Sequence, residues 1–341
     1  MNLELSPVTA TVALLVAAAV IGVAGTRLSK VVDRLADRLR IGEALAGALL
    51  LGGATSLAGL VVSVVAAVEG DASLAVGNSI GGIAAQTAFI VAADLAYRRG
   101  NLEHAAASLG NLFNSLLLLV LLAVVVVGSA VPDVTLLGVS PVTAILLGAY
   151  LYGTWMLRRV ELEPMWQATS TPETRQDTPD PEAEQADLGR LGAEFLLMAA
   201  VVVLAGYVVA QAGLSLVADT GLSGTVVGTF ATSIATSLPE LVTSIAAVRA
   251  GALTLAVGGI VGGNAFDLLF IAAADVAYRP GSVYSALTEA DVFVIGWAMV
   301  LAGILATGLV RRQRSGIGFE GVGVLGGYVA GLLVVTQLPG A

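Results

Sequence analysis

The 341-residue chain contains no cysteine. Disulfides, thiolate metal sites and cysteine nucleophiles are thereby excluded. A single histidine, His104, rules out a multi-histidine metal site, and its place beside Arg98 and Arg99 predicts a loop or headgroup position. Lysine occurs once, at Lys30, against 15 arginines. Charged residues make up only 12% of the chain, where soluble domains carry about 25%. The opening MNLELSP lacks the basic stretch of a cleaved signal, so the first apolar segment reads as a retained span. No nucleophile–base set, phosphate loop or Cys/His cluster is present, so neither an enzyme, an enzymatic cofactor nor a nucleic-acid partner is expected.

What the chain has in quantity is apolar sequence, 57% of residues, with 41 glycines. This composition predicts an all-α, multi-pass protein of the cell membrane, with the lipid bilayer as its solvent. Segments long enough to cross a bilayer fall near 7–26, 41–68, 72–97, 104–127, 134–157, 190–213, 221–248, 253–278, 287–309 and 318–337. With the N-terminus outside, ten such spans leave 15 of the 16 basic residues in inward loops and only Arg279 outside. Residues 161–187 hold eight acids and one base, Arg175, and little apolar sequence. They read as a solvated cytoplasmic linker. The predicted organisation is therefore a first unit over 1–160, an acidic linker over 161–189 and a second unit over 190–341.

The two units repeat each other. Residues 54–98 and 235–279 align at an offset of 181 without a gap, and 24 of 45 positions are identical. The offset spans five helices, an odd number, so the copies run in opposite directions through the membrane. Two inverted five-helix repeats are predicted, with a ligand site near the midplane where they meet. Within the second copy, ATSIATSLPELVTS carries Glu240 directly after Pro239 in apolar surroundings. Proline lacks an N–H and clashes with the carbonyl four residues back, which predicts a break near Ala235. Ser233, Thr236 and Glu240 share a helical face, as do Gly263 and Asp267. The first copy offers Thr55, Ser56, Gly82 and Gln86 by the same logic. Carboxylate, hydroxyl and amide oxygens suit a hard cation such as Ca²⁺ or Na⁺. Asp94 and Asp275 sit four residues before Arg98 and Arg279, which predicts helix-end ion pairs. Glu43, Glu194 and Asp291 lie near span ends and are expected to reach headgroups.

The run TSLPEL followed by VGGIVGGNAFDLL resembles the α-repeat signature of the sodium/calcium exchanger branch of the cation/calcium antiporters. Thr236, Ser237, Pro239, Glu240, Asn264 and Asp267 fit the pattern. The resemblance implies principal cation ligands at Glu240 and Asp267, 27 residues apart, with Thr236, Ser237 and Ser233 assisting Na⁺. It also implies that the first helix of each half slides against a site-bearing core. The first repeat keeps Thr55, Ser56 and Asn78 but has Ala58-Gly59 where Pro-Glu is usual, and Gln86 where Asn is usual. Gly82 and Gly263 stand where serine is usual. The resulting metal set is Glu240, Asp267, Gln86, Thr55, Ser56, Thr236, Ser237 and Ser233. The expected activity is exchange of Ca²⁺ for Na⁺ by alternating access. A proton-coupled Ca²⁺ or monovalent cation antiporter, and a non-transporting ion-binding relative, stay open beside it. The sequence does not set the oligomeric state.

Overall fold

A computed structural model describes residues 5–39, 52–97, 100–163, 187–251, 253–314 and 316–338. Most of the predicted acidic linker, 164–186, lies outside these residues, as do Glu43, Arg98 and Arg99. The described chain is helical. Helix α1 (Pro7–Leu39) precedes a helix broken into α2 (Gly52–Thr55) and α3 (Leu57–Val68). Then follow α4 (Ala72–Ala96), the single turn α5 (Leu102–Ala105), α6 (Leu109–Ser129) and α7 (Pro141–Leu162). The second unit starts with α8 (Leu188–Thr220) and runs into α9 (Gly224–Val227), a π-turn (Gly228–Thr232), α10 (Ser233–Thr236) and α11 (Leu238–Ala250). It ends with α12 (Leu253–Asp267), α13 (Leu269–Ala277), α14 (Glu289–Arg311) and α15 (Gly318–Val335).

Among the described residues seven helices are long and apolar enough to cross a membrane, and the pair 224–236 and 238–249, bent by 44°, makes an eighth if counted as one span. Of the ten predicted segments, the other two are helical as well where they are described, from residue 52 in the case of 41–68. One is the broken α2–α3, whose longer part has 12 residues, and the other is α7, with 22. The offset found in the sequence recurs in the helices. Helices α1 and α8 each have 33 residues and start 181 apart, and they pack on each other. The breaks also correspond, at Ser56 and at Ser237.

The centre of the molecule is α4, with 20 of its 25 residues buried. Its small residues explain how it is reached from all sides. A Cβ on Gly81 would lie 2.6 Å from Thr229 Cα, and one on Gly228 would lie 2.8 Å from Asn78 N. The two backbones thus touch, as small residues four apart allow in membrane helices. The long helices use the same device. A Cβ on Gly25 of α1 would clash with Pro239, and one on Gly206 of α8 would come 2.9 Å from Ala58 O. Gly25 and Gly206 are repeat equivalents, and so are Ala58 and Pro239. Beyond its apolar part α1 continues as a stalk. Arg27, Lys30, Arg34 and Arg38 recur there at helical spacing, each exposed, with Arg27 Nε paired to Glu194 Oε1 of α8 at 2.8 Å.

Polar groups near helix ends depart from expectation. Asp275 does not pair with Arg279. Its carboxylate accepts hydrogen bonds from Ser140 N, Thr143 Oγ1, Ser282 Oγ and Val283 N, and so pins two loops. Asp94 likewise accepts from Leu102 N at 2.6 Å. For Asp275 a backbone N–H that would otherwise be buried unpaired wins over Arg279, which can reach water, whereas Arg98, the expected partner of Asp94, lies outside the described residues. Asp291 does not reach for headgroups either. It is buried and accepts from Thr225 and Ser73, and it closes a capping box with Thr288. His104 is also buried rather than at a headgroup, its Nδ1 2.9 Å from Arg312 O.

Beside it Glu103 is 1% exposed and its Oε2 has no hydrogen-bond partner. Burial, with the charges of Asp94 and Glu320 close by, raises the Glu103 carboxyl from its ordinary 4.5 to about 8. The folded chain keeps a proton there that the unfolded chain releases. Rising pH between those values therefore removes stability. Glu103→Gln is expected to be more stable than the parent at alkaline pH, by about 1–3 kcal/mol. The difference should vanish in acid, as thermal unfolding across pH will measure.

Candidate cation site

The two breaks bring Ser56 and Ser237 to the same place. At Ser237 the helix stops because Pro239 cannot donate and its ring displaces the chain. The first repeat has no proline, yet Ser56 makes the same turn, at φ −81° and ψ −1° against −93° and 5° for Ser237. Helix α12 ends in a third break, just after Asp267. The freed carbonyl of Asp267 accepts from Ser79 Oγ at 2.7 Å.

Hydrogen bonds connect the residues that these breaks collect. Ser56 Oγ donates to Asp267 Oδ1 at 2.6 Å, and Gln86 Nε2 donates to Asp267 Oδ2 at 2.7 Å and to Ser237 Oγ at 3.2 Å. Thr55 and Ser56 both lie against the Glu240 carboxylate. Ser56 has one proton, and it goes to Asp267. Glu240 Oε2 and Gln86 Oε1 are buried and have no partner. Buried oxygens are rarely left so, and those that are mark a place for a missing group. Glu240 is 5% exposed and Asp267 2%.

Six predicted residues are thus brought together: Glu240, Asp267, Gln86, Thr55, Ser56 and Ser237. The other two are buried nearby with their protons spent on their own helix. Ser233 Oγ donates to Thr229 O at 2.6 Å, and Thr236 Oγ1 donates to Thr232 O at 3.0 Å. The two glycines in serine positions open on the network. A Cβ on Gly82 would lie 3.4 Å from Ser237 Oγ and 3.9 Å from Asp267 Oδ2, and one on Gly263 would lie 3.8 Å from Gln86 Oε1. A serine at either would have added a ligand.

The sequence reading named Asn78 without a role and did not reach Tyr150. Asn78 Nδ2 donates to Gly59 O and Ser63 Oγ, while its Oδ1 accepts from Thr232. It clamps both broken helices to α4. Tyr150 of α7 is buried with an unpartnered hydroxyl, close enough to feel the charge of Asp267. The only sequence signal for Tyr150 was a hydroxyl-bearing ring in a span outside the repeat motif.

The chain matches the family described as sodium/calcium exchanger protein over residues 9–158 and 191–337. Inner membrane protein YrbG of Escherichia coli (strain K12) is 35% identical over 119 residues, covering 34% of this chain and 35% of that protein. The chain spans about a third of the length of the curated relatives it matches. Solved structures share the fold. An H⁺/Ca²⁺ exchanger, CAX, gives a TM-score of 0.70 at 12% identity, over 95% of this chain and 82% of that one. The sodium-calcium exchanger NCX_Mj gives 0.60 at 16% identity, over 98% of both.

Proposed function

Because the chain belongs to the sodium/calcium exchanger protein family, we propose that it is a secondary active antiporter. It moves Ca²⁺ in exchange for Na⁺ through the site of Glu240 and Asp267. The observation that carries this reading is the meeting of the two second-half carboxylates with first-half residues, Asp267 held by Ser56 and Gln86 and Glu240 set against Thr55 and Ser56. Ten spans, two inverted repeats and an N-terminus outside supply the frame. The equivalent breaks at Ser56 and Ser237, and the paired long helices α1 and α8, support it.

In this cycle the carboxylates and the free oxygens of Glu240 and Gln86 replace water around the ion. Thr55, Ser56 and Ser237 complete the shell, and Ser233 and Thr236 offer lone pairs from one turn away. Helices α1 and α8 slide over the core on Gly25 and Gly206, exposing the site to one side and then the other. An empty site holds uncompensated buried charge and reorients poorly, which makes the flux an exchange.

A second reading keeps Ca²⁺ and uses protons. The glycines at 59, 82 and 263 favour it, since they remove oxygens that several Na⁺ ions would need. Uptake of radioactive calcium into proteoliposomes separates the two. The first reading expects uptake driven by an imposed Na⁺ gradient. Uptake under a pH gradient alone would replace Na⁺ by H⁺. A folded protein that takes up calcium under neither would be an ion-binding relative, and the antiporter reading would fall.

A further inference from the structure

Gly59 stands where the resemblance implies a second glutamate, and its place is filled. A Cβ added there would lie 2.7 Å from Phe270 Cε2, 3.4 Å from Cζ and 3.6 Å from Cδ2. The edge of the Phe270 ring thus occupies the volume that a side chain at 59 would enter. Other rings hold it there. Phe266 meets Phe270 edge-on, with centroids 6.3 Å apart and planes at 84°, and Tyr150 meets Phe266 in the same way at 6.2 Å and 72°. Phe266 also covers Gly53, where an added Cβ would come 3.4 Å from its Cζ.

The other half is built differently. The offset of 181 pairs Phe270 with Phe89, and Phe266 with Ala85. There an acid, Glu240, coexists with the aromatic residue. Phe89 packs into the apolar cluster around Val248 and Ile260. Ala85 has no ring with which to hold it over the acid. The residue four positions before the phenylalanine therefore distinguishes the half that keeps its glutamate from the half that lacks one.

Resting on the antiporter reading above, we infer that Phe270, fixed by Phe266, is a specificity-determining residue. It closes the second acid position, limits the site to the two charges of Glu240 and Asp267, and makes exchange electroneutral, one Ca²⁺ against two monovalent cations. The charges balance in both directions. The site carries −2 when both carboxyls are ionised, and their partners are hydroxyls and an amide, which offset nothing. One Ca²⁺ brings the site to zero. Two Na⁺ ions, or two protons, also bring it to zero. With a third carboxylate at 59 the site would carry −1 with Ca²⁺ and zero with three monovalent cations. One net charge would then cross the membrane in each cycle.

Two measurements test this. The first is a double-mutant cycle on thermal unfolding of the purified protein, with Gly59→Glu, Phe270→Ala and the pair. Gly59→Glu alone is expected to lower the unfolding temperature, and Phe270→Ala in the same chain to recover most of the loss. Strictly additive effects would overturn the ring's role. The second is calcium accumulation in proteoliposomes under an imposed potassium diffusion potential. A cycle carrying one net charge changes the accumulation ratio about 50-fold for each ~100 mV. The parent is expected to show no such change, and its appearance would overturn the electroneutral cycle. In Gly59→Glu/Phe270→Ala the potential dependence is expected to appear. Transport by that variant without it would overturn the assignment of a third charge to this position. Failure of the parent to take up calcium under any gradient would refute the antiporter reading, and the unfolding cycle would still decide where the ring sits.

Discussion

Replacing Glu240 with glutamine is expected to lower calcium exchange about a hundredfold, because a divalent ion in a site of −1 leaves a positive charge in the membrane interior. Placing one charge there costs at least ~2.5–3.5 kcal/mol on insertion scales, and each 1.4 kcal/mol is about tenfold. The fold should survive. Glutamine keeps the shape, and its amide can donate to a lone pair of Ser56, whose own proton goes to Asp267. Calcium binding to the purified variant and calcium flux in proteoliposomes should therefore fall together, with the unfolding temperature little changed. A variant exchanging at the parent's rate would take Glu240 out of the ion path.

The second large effect is mechanical. Gly81→Ala is expected to destabilise the protein by about 1–3 kcal/mol and to abolish exchange. The added methyl would meet Thr229 Cα at 2.6 Å, Thr229 O at 3.0 Å and Ser233 Oγ at 3.0 Å. Two of these are backbone atoms, which have no rotamer to retreat into. The π-turn and α10 would have to leave α4 and carry Ser233 and Ser237 with them. The Gln86–Ser237 contact, at 3.2 Å, would be lost early. Thermal unfolding and calcium uptake, measured on the same preparation, check both parts. Parental stability and uptake together would show that the two helices are not in contact through this residue.

Much of this was readable in the sequence because each feature has a local cause. Pro239 announces a break, and the offset of 181 transfers it to Ser56, where no proline stands. Six of the eight predicted ligands meet because their spacing on broken helices is a property of each repeat. Ser233 and Thr236 were placed on the site by a straight-helix argument. The π-turn at 228–232 and the break at Ser237 interrupt that helix, and a hydroxyl in a membrane helix readily turns to its own backbone. The rings were invisible for another reason. A phenylalanine in an apolar span carries no periodic signal, and whether Phe270 covers Gly59 depends on Phe266 and Tyr150, the latter on a different helix. The one trace in the sequence was Phe266 aligned with Ala85, a change of volume just outside the motif. Buried His104 was misjudged because a polar residue in a short connection usually meets water.

In the proposed cycle the stalk of α1 would give the membrane itself a part. Its basic side chains at 27, 30, 34 and 38 are fixed to the same rigid helix that bears Gly25. If α1 slides as proposed, that stripe would be drawn along the lipid headgroups. Anionic lipid attracts such residues by about 1 kcal/mol each near the surface, over a distance of one Debye length. In that cycle the leaflet would act as a spring on the moving helix. Its stiffness is set by lipid charge and ionic strength, quantities that no residue in the ion site can sense.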